Sequence, residues 1–191
     1  MTGMMYWSKF FKRCSILSVL AIATALPFKP AQAESVFEPY KQTIREQIPV
    51  GLSLRLPDKI LLSATEQQEI DNFTVRVFVS QNPSRLTLSL HSCQASNNPC
   101  LLGSFITENK NSSPAQSELA RHKNQGIRIT LKDGVLGYVI DSDQPQSASA
   151  FATVMWSQDN MIHTLSFPQR ERQNMLYMAL SMANSDSIFR P

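Results

Sequence analysis

The sequence predicts an α+β fold: a single antiparallel β-sheet of about seven strands, covered by a mid-chain surface helix and a C-terminal amphipathic helix. Three observations predict it. Stretches such as "TVRVFVS" and "SRLTLSL" alternate polar and apolar residues with the period of two that a half-buried strand needs. Asp133-Gly134 and Asp159-Asn160 stand between such stretches where hairpins turn. Two segments carry helical spacing instead, around residues 113–126 and near the C-terminus, and strands grouped into hairpins with helices laid over them are the α+β pattern.

The first 33 residues belong to a different physical class. Lys9, Lys12 and Arg13 precede the uncharged stretch "SILSVLAIATAL", and "PFKPAQA" closes on Ala31-Gln32-Ala33. A basic start, a short apolar run and small residues at −3 and −1 predict a secretory signal cut between Ala33 and Glu34. Twelve residues rise about 18 Å as a helix, against a hydrocarbon core of about 30 Å, so a membrane anchor is not predicted. Cys14 lies ahead of the apolar stretch, which is the wrong side for a lipid-modified cysteine.

Removing residues 1–33 leaves a single predicted domain, residues 34–191, with no transmembrane helix. Four of the 18 Lys and Arg (Lys9, Lys12, Arg13 and Lys29) lie in the leader and all 15 Asp and Glu beyond it, so the net charge falls from +3 to −1. A nearly neutral domain has no cationic excess to neutralise phosphates, which argues against nucleic acid as a partner.

Within the domain, "SVFEPYKQTIREQIP" spaces Val36, Phe37, Tyr40 and Ile44 helically, but Pro39 interrupts, predicting one or two loose turns. "VGLSLRLP" predicts a strand with Leu52, Leu54 and Leu56 on one side, and "KILLSA" a second short one. In "DNFTVRVFVS", Phe73, Val75, Val77 and Val79 share a face; Asn82-Pro83 turns the chain into the Leu86, Leu88 and Leu90 strand. "LLGSFIT" follows after a loop.

That loop carries both cysteines of the predicted domain, in "HSCQASNNPC". Export places Cys93 and Cys100 in an oxidising compartment, where thiols at the two feet of a hairpin loop form a disulfide. Closing so short a loop stabilises by roughly 2–3 kcal/mol on the chain-entropy model. The alternatives are a redox pair and a metal site formed by His91, Cys93 and Cys100, since His91 and Cys93 point to one face of a strand.

"SSPAQSELARHKNQG" is predicted as the surface helix, with Ser113 as N-cap, Gln116 closing a capping box and Gly126 as a left-handed stop. Its apolar stripe is thin: Ala115, Leu119 and Ala120. Arg121, His122 and Lys123 complement the negative end of its dipole. "GIRITLKDGVLGYVI" and "AFATVMWSQDNMIHTLSF" each read as a hairpin. The final helix, with Ser166 and Gln169 at capping-box spacing, offers a broad apolar face of Met175, Leu176, Met178, Ala179, Met182 and Ala183, and is predicted to pack deepest.

Chemistry-bearing motifs are sparse. There is no G-x-S-x-G elbow, glycine-rich phosphate loop or H-E-x-x-H, so no cofactor is predicted. His163 with Asp159 or Ser157 is the one arrangement that suggests a hydrolase, yet His163 alternates with Met161, Leu165 and Phe167 and points toward the predicted core. "DSDQPQSASA" opens like a calcium loop at Asp141 and Asp143, but lacks the central glycine and has Ala152 where the closing glutamate belongs. Arg121, Lys123, Arg128 and Lys132 form a basic cluster, read first as a solvated face and alternatively as a dock for acidic lipid headgroups or an acidic partner.

"GVLGYVI", "ATVMWSQDNMIHTLSF" and "RQNMLYMALSMA" together resemble a group of exported cyanobacterial proteins, the likeness extending back through the cysteine loop. The strand–turn–strand–helix ending is also architecturally similar to PsbP-type lumenal domains. These resemblances imply a periplasmic or thylakoid-lumenal protein without catalytic activity. The functional expectation is an extracytoplasmic accessory or binding domain working through an envelope protein or lipid. The hydrolase and metal-binding readings stand as its alternatives.

Overall fold

Strand periodicity sets the architecture. A computed structural model of the chain describes residues 37–63, 74–92, 100–142 and 150–189, all of which fall within one compact unit, Glu34–Pro191. A 3₁₀ turn (Glu38–Tyr40) leads into α1 (Lys41–Gln47), followed by β1 (Ser53–Leu54). Then come β2 (Thr74–Gln81), β3 (Ser84–His91), β4 (Leu101–Asn109), α2 (Ser113–Gln125), β5 (Ile127–Lys132), β6 (Val135–Ile140), β7 (Phe151–Gln158) and β8 (Met161–Pro168). A second 3₁₀ turn (Gln169–Glu171), α3 (Arg172–Asn184) and β9 (Ile188–Phe189) complete the chain.

The seven strands β2 to β8 form one antiparallel sheet in the order β2-β3-β4-β8-β7-β6-β5. Two meanders, β2–β4 and β5–β8, therefore meet along the β4–β8 seam, and α2 carries the chain from one to the other. β1 and β9 make a separate two-stranded ribbon.

Side-chain alternation then assigns the two faces. Leu86, Leu88 and Leu90 of β3, Phe105 of β4, Val154 and Trp156 of β7, and Leu165 and Phe167 of β8 are buried in one core. Met175, Met178, Ala179, Met182 and Ala183 of α3 close it, joined by Phe37, Ile44, Ile48, Leu52, Leu54 and Leu56 from the N-terminal segment. Phe37, Phe105 and Phe167 run through it as two edge-to-face ring pairs, each with centroids 5.5 Å apart. Full burial of side chains of this size contributes about 1.5–3 kcal/mol apiece, so α3 is held by packing, as its methionine-rich face predicted. On the opposite face, Ala115 and Leu119 of α2 rest on Met155, Ile162 and the half-buried Tyr138. No helix among the described residues is long and apolar enough to cross a membrane.

The local punctuation differs from the sequence reading at four points. The segment bearing Leu52, Leu54 and Leu56 is buried as predicted, but only Ser53 and Leu54 pair as strand, and residues 60–63 form none. Ser112, not Ser113, caps α2 by accepting from the Ala115 N–H at 3.4 Å, which frees the Gln116 amide to donate to the Lys110 carbonyl at 2.8 Å. Gly126 is extended (φ −87°), not left-handed. Glycine is needed there for space, because a Cβ would lie 2.6 Å from the His122 carbonyl oxygen and 2.7 Å from that of Val139. Ser166 stays inside β8 and bonds Thr153, so Glu171 occupies the N-cap position of α3 instead. The buried Glu171 carboxylate accepts from Ser63 N, Ser63 Oγ and Asn174 Nδ2, tying the strandless 60–63 segment to α3.

Candidate functional site

The three histidines are candidates for chemistry, and the fold places each on a strand or a helix. β8 turns His163 into the α3-covered core, where its Nδ1 shares a 3.0 Å hydrogen bond with Thr107 Oγ1 of β4. Its ring lies against Trp156, with centroids 5.1 Å apart. Burial, reinforced by the Arg55 cation and opposed by Asp159, pushes the imidazole down to about 3, so it is neutral at physiological pH. Asp159 gives its carboxylate to Arg55 at 2.5 Å. Ser157 pairs with Ile162, whose side chain packs beneath α2 on the other side of the sheet. His163, Asp159 and Ser157 are therefore not assembled into a relay, because period-two alternation sends neighbouring strand residues to opposite faces.

His122, read from sequence as part of the charged end of α2, is fully buried against the sheet. Its Nδ1–H donates to the Glu118 carbonyl at 3.0 Å. Burial lowers its pKa despite the opposing effect of Glu118. His91 ends β3 opposite Thr74 and Leu101, and its pKa is also lowered, first by burial and then by Arg76.

The remaining candidates divide between placed and undescribed residues. Ala33, Glu34, Cys93 and Asp143 lie outside the described residues. Cys100 precedes β4, and its carbonyl accepts from the Ser92 N–H at 3.0 Å, joining the two feet of the loop. Among the described residues no group of three His, Cys, Asp or Glu is gathered to hold a metal ion. Asp141 of the calcium-like loop is instead ion-paired to Arg172 at 2.7 Å. The basic cluster is solvent-facing: Arg121 pairs with Glu118, Lys123 hovers 6.0 Å above the Tyr138 ring, and Arg128 and Lys132 are exposed on β5.

The described residues also enclose a concavity that no sequence motif marked. An open groove of about 800 Å³ is lined by residues from the α1–β1 connection (Val50 to Ser53), the β4–α2 turn (Asn109 to Asn111) and the β7–β8 turn (Asp159 to Met161). Asp159 (φ 50°) and Asn160 (φ 62°) are both left-handed, as a two-residue hairpin turn requires. The Lys110 N–H donates to the Asn160 carbonyl at 2.9 Å, sewing two of the three segments together. Arg55 anchors the third: only about a tenth exposed, it holds Asp159 and also donates to the Ser185 carbonyl beyond α3. In front of this frame, the Lys110 ammonium and the Asn111 and Asn160 amides have no side-chain partner among the described residues, and Val50 stands 84% exposed at the rim.

No family model, curated protein or solved structure matches the chain. Its chemistry is therefore argued from the groove itself. One cation, two neutral amides, the Arg55-paired Asp159 carboxylate and an apolar rim can hold and orient a ligand.

Proposed function

We propose that this protein is an exported accessory domain that binds an envelope protein in the groove of Lys110, Asn111 and Asn160. The observation that carries the reading is the convergence of three uncommitted polar side chains on a concavity whose walls are braced from behind by the Arg55–Asp159 ion pair. A carboxylate-bearing segment fits it best: Lys110 supplies the charge, the amides supply directional donors and Val50 supplies apolar contact. The test compares the protein with Lys110→Glu and Asn111→Ala in capture from the native envelope. A groove-bound partner is expected to lose affinity about tenfold with the charge reversal, while thermal stability is unchanged. A partner recovered equally by both variants would place binding elsewhere and refute the groove.

Export itself is supported by the leader, and the Ser92–Cys100 backbone bond supports the hairpin that a Cys93–Cys100 disulfide would close. The intact mass of protein isolated from its producing cell is expected to begin at Glu34 and to lie two hydrogens below the reduced value. A mass retaining residues 1–33 with both thiols free would sink the exported reading and the disulfide together.

A further inference from the structure

The two outer edges of the seven-stranded sheet are managed differently. β5 carries exposed Arg128 and Lys132, and its register shifts between Thr130 and Lys132. Charge and irregularity of this kind discourage edge-to-edge pairing. β2 is less protected. It runs eight residues in unbroken register against β3, from Thr74↔His91 to Gln81↔Ser84, with no proline or lysine and with Arg76 as its one charge. Nothing among the described residues is hydrogen-bonded to its outer side. Phe78 is 55% exposed on the face away from the main core, and Val79 is 40% exposed on the other.

We propose that a second copy of this chain pairs antiparallel along β2, about a twofold axis perpendicular to the sheet and passing through Phe78. Such an axis carries each face of one sheet into the same face of its mate, so paired residues must share a face. That condition sets Phe78 opposite Phe78 of the second copy, Val77 opposite Val79, Arg76 opposite Ser80 and Val75 opposite Gln81. Both exposed apolar side chains then gain apolar partners: the two phenyl rings meet on the open face, and Val79 meets Val77, which already packs against the core. The arginine faces a hydroxyl, so no like charges oppose each other. Moving the axis to Val77 would set Phe78 against Arg76, and moving it to Arg76 would oppose two guanidinium groups. The register centred on Phe78 is self-complementary, and it does not depend on what the groove binds.

The test is sedimentation equilibrium of the isolated protein over a dilution series. A dimer is expected. Phe78→Lys, which opposes two ammonium groups at the axis, is expected to raise its dissociation constant about tenfold or more while leaving unchanged the circular dichroism and the melting temperature measured at dilutions where both proteins are monomeric. Ile127→Lys, at the equally exposed position on the other edge, is expected to leave the dimer intact. Phe78→Cys reads the register directly: directly opposed Cβ atoms lie within disulfide reach, so oxidation is expected to link the two copies through residue 78. A protein that stays monomeric throughout, or a dimer that tolerates Phe78→Lys and does not cross-link through Phe78→Cys, overturns the proposal. If Phe78→Lys failed to fold, the cross-link would still decide.

Discussion

Acidification from neutral pH toward pH 3 is expected to unfold this protein, with two buried histidines supplying much of the slope. His163 is held neutral down to about 3, and burial shifts His122 in the same direction. In the unfolded chain both titrate near 6.5. Below that value the unfolded state binds protons that the native state refuses, so stability present at neutral pH is lost as pH falls. For His163 the loss begins near 6.5 and continues to about 3, the value in the folded chain. His163 contributes about 1.4 kcal/mol per pH unit between those two values. A domain of this size has a stability of about 5–15 kcal/mol in total, so that loss is a large part of the whole. His122 adds to it in the same direction. Urea midpoints measured at pH 7, 5 and 4 check it. His163→Phe, which keeps the ring and its stacking on Trp156 but cannot take a proton, is expected to flatten the pH dependence while costing about 1–2 kcal/mol at pH 7 for the orphaned Thr107 hydroxyl. An unchanged slope in that variant would mean that His163 is not the acid-sensitive group.

The inward direction of His163 was legible from "MIHTLSF" alone, because the strand period assigns faces without knowledge of the partner strand. The same holds for β2 to β8 as individual strands and for the methionine face of α3. Strand order was not legible in the same way. The β4–β8 seam joins residues more than fifty positions apart, and nothing in either stretch names the other. Capping of α2 was displaced by one residue because Ser112 and Ser113 present the same hydroxyl, and only the backbone conformation distinguishes them. The burial of His122 was hidden for a related reason: it sits beside Arg121 and Lys123, and the sequence shows the charge of the run but not which member faces the sheet.

The groove was legible only in fragments. Asp159-Asn160 was read as a turn, while Val50-Gly51 and Asn109 to Asn111 carried no pattern that would bring them to it. What assembles them is the pair of anchors at Arg55 and the Lys110–Asn160 backbone bond, and both are long-range contacts made possible by the sheet order. A site built from three turns on one end of a sheet is a tertiary property, and a motif search has no access to it. The sheet fixes the turns, and the turns bring Lys110, Asn111 and Asn160 to one groove.

Gly103→Ala is expected to be among the most damaging single-methyl changes available in this protein. Gly103 lies in β4 opposite Leu90, and a Cβ built there would stand 2.4–2.6 Å from three carbons of the Phe167 ring. That ring has nowhere to retreat, since it is fully buried and already meets Phe105 edge-to-face. Overpacking at such a site costs about 1–3 kcal/mol, and Gly103→Val is expected to cost more because its branches enter the same space. The mechanism can be separated from a general intolerance of strand glycines. Phe167→Leu alone leaves a cavity and destabilises by about 1–3 kcal/mol, but it also removes the ring that the new methyl strikes. The double variant Gly103→Ala/Phe167→Leu is therefore expected to be more stable than the sum of the two single losses by at least about 1 kcal/mol, in a two-state denaturation cycle. Gly134 supplies the contrast: its φ is +77° with open space around it, so Gly134→Ala should cost about 1 kcal/mol through backbone strain, and no partner substitution should recover it. Strict additivity at Gly103 and Phe167 would show that the ring is free to move aside, and that the aromatic core between β4 and β8 is looser than its edge-to-face geometry implies.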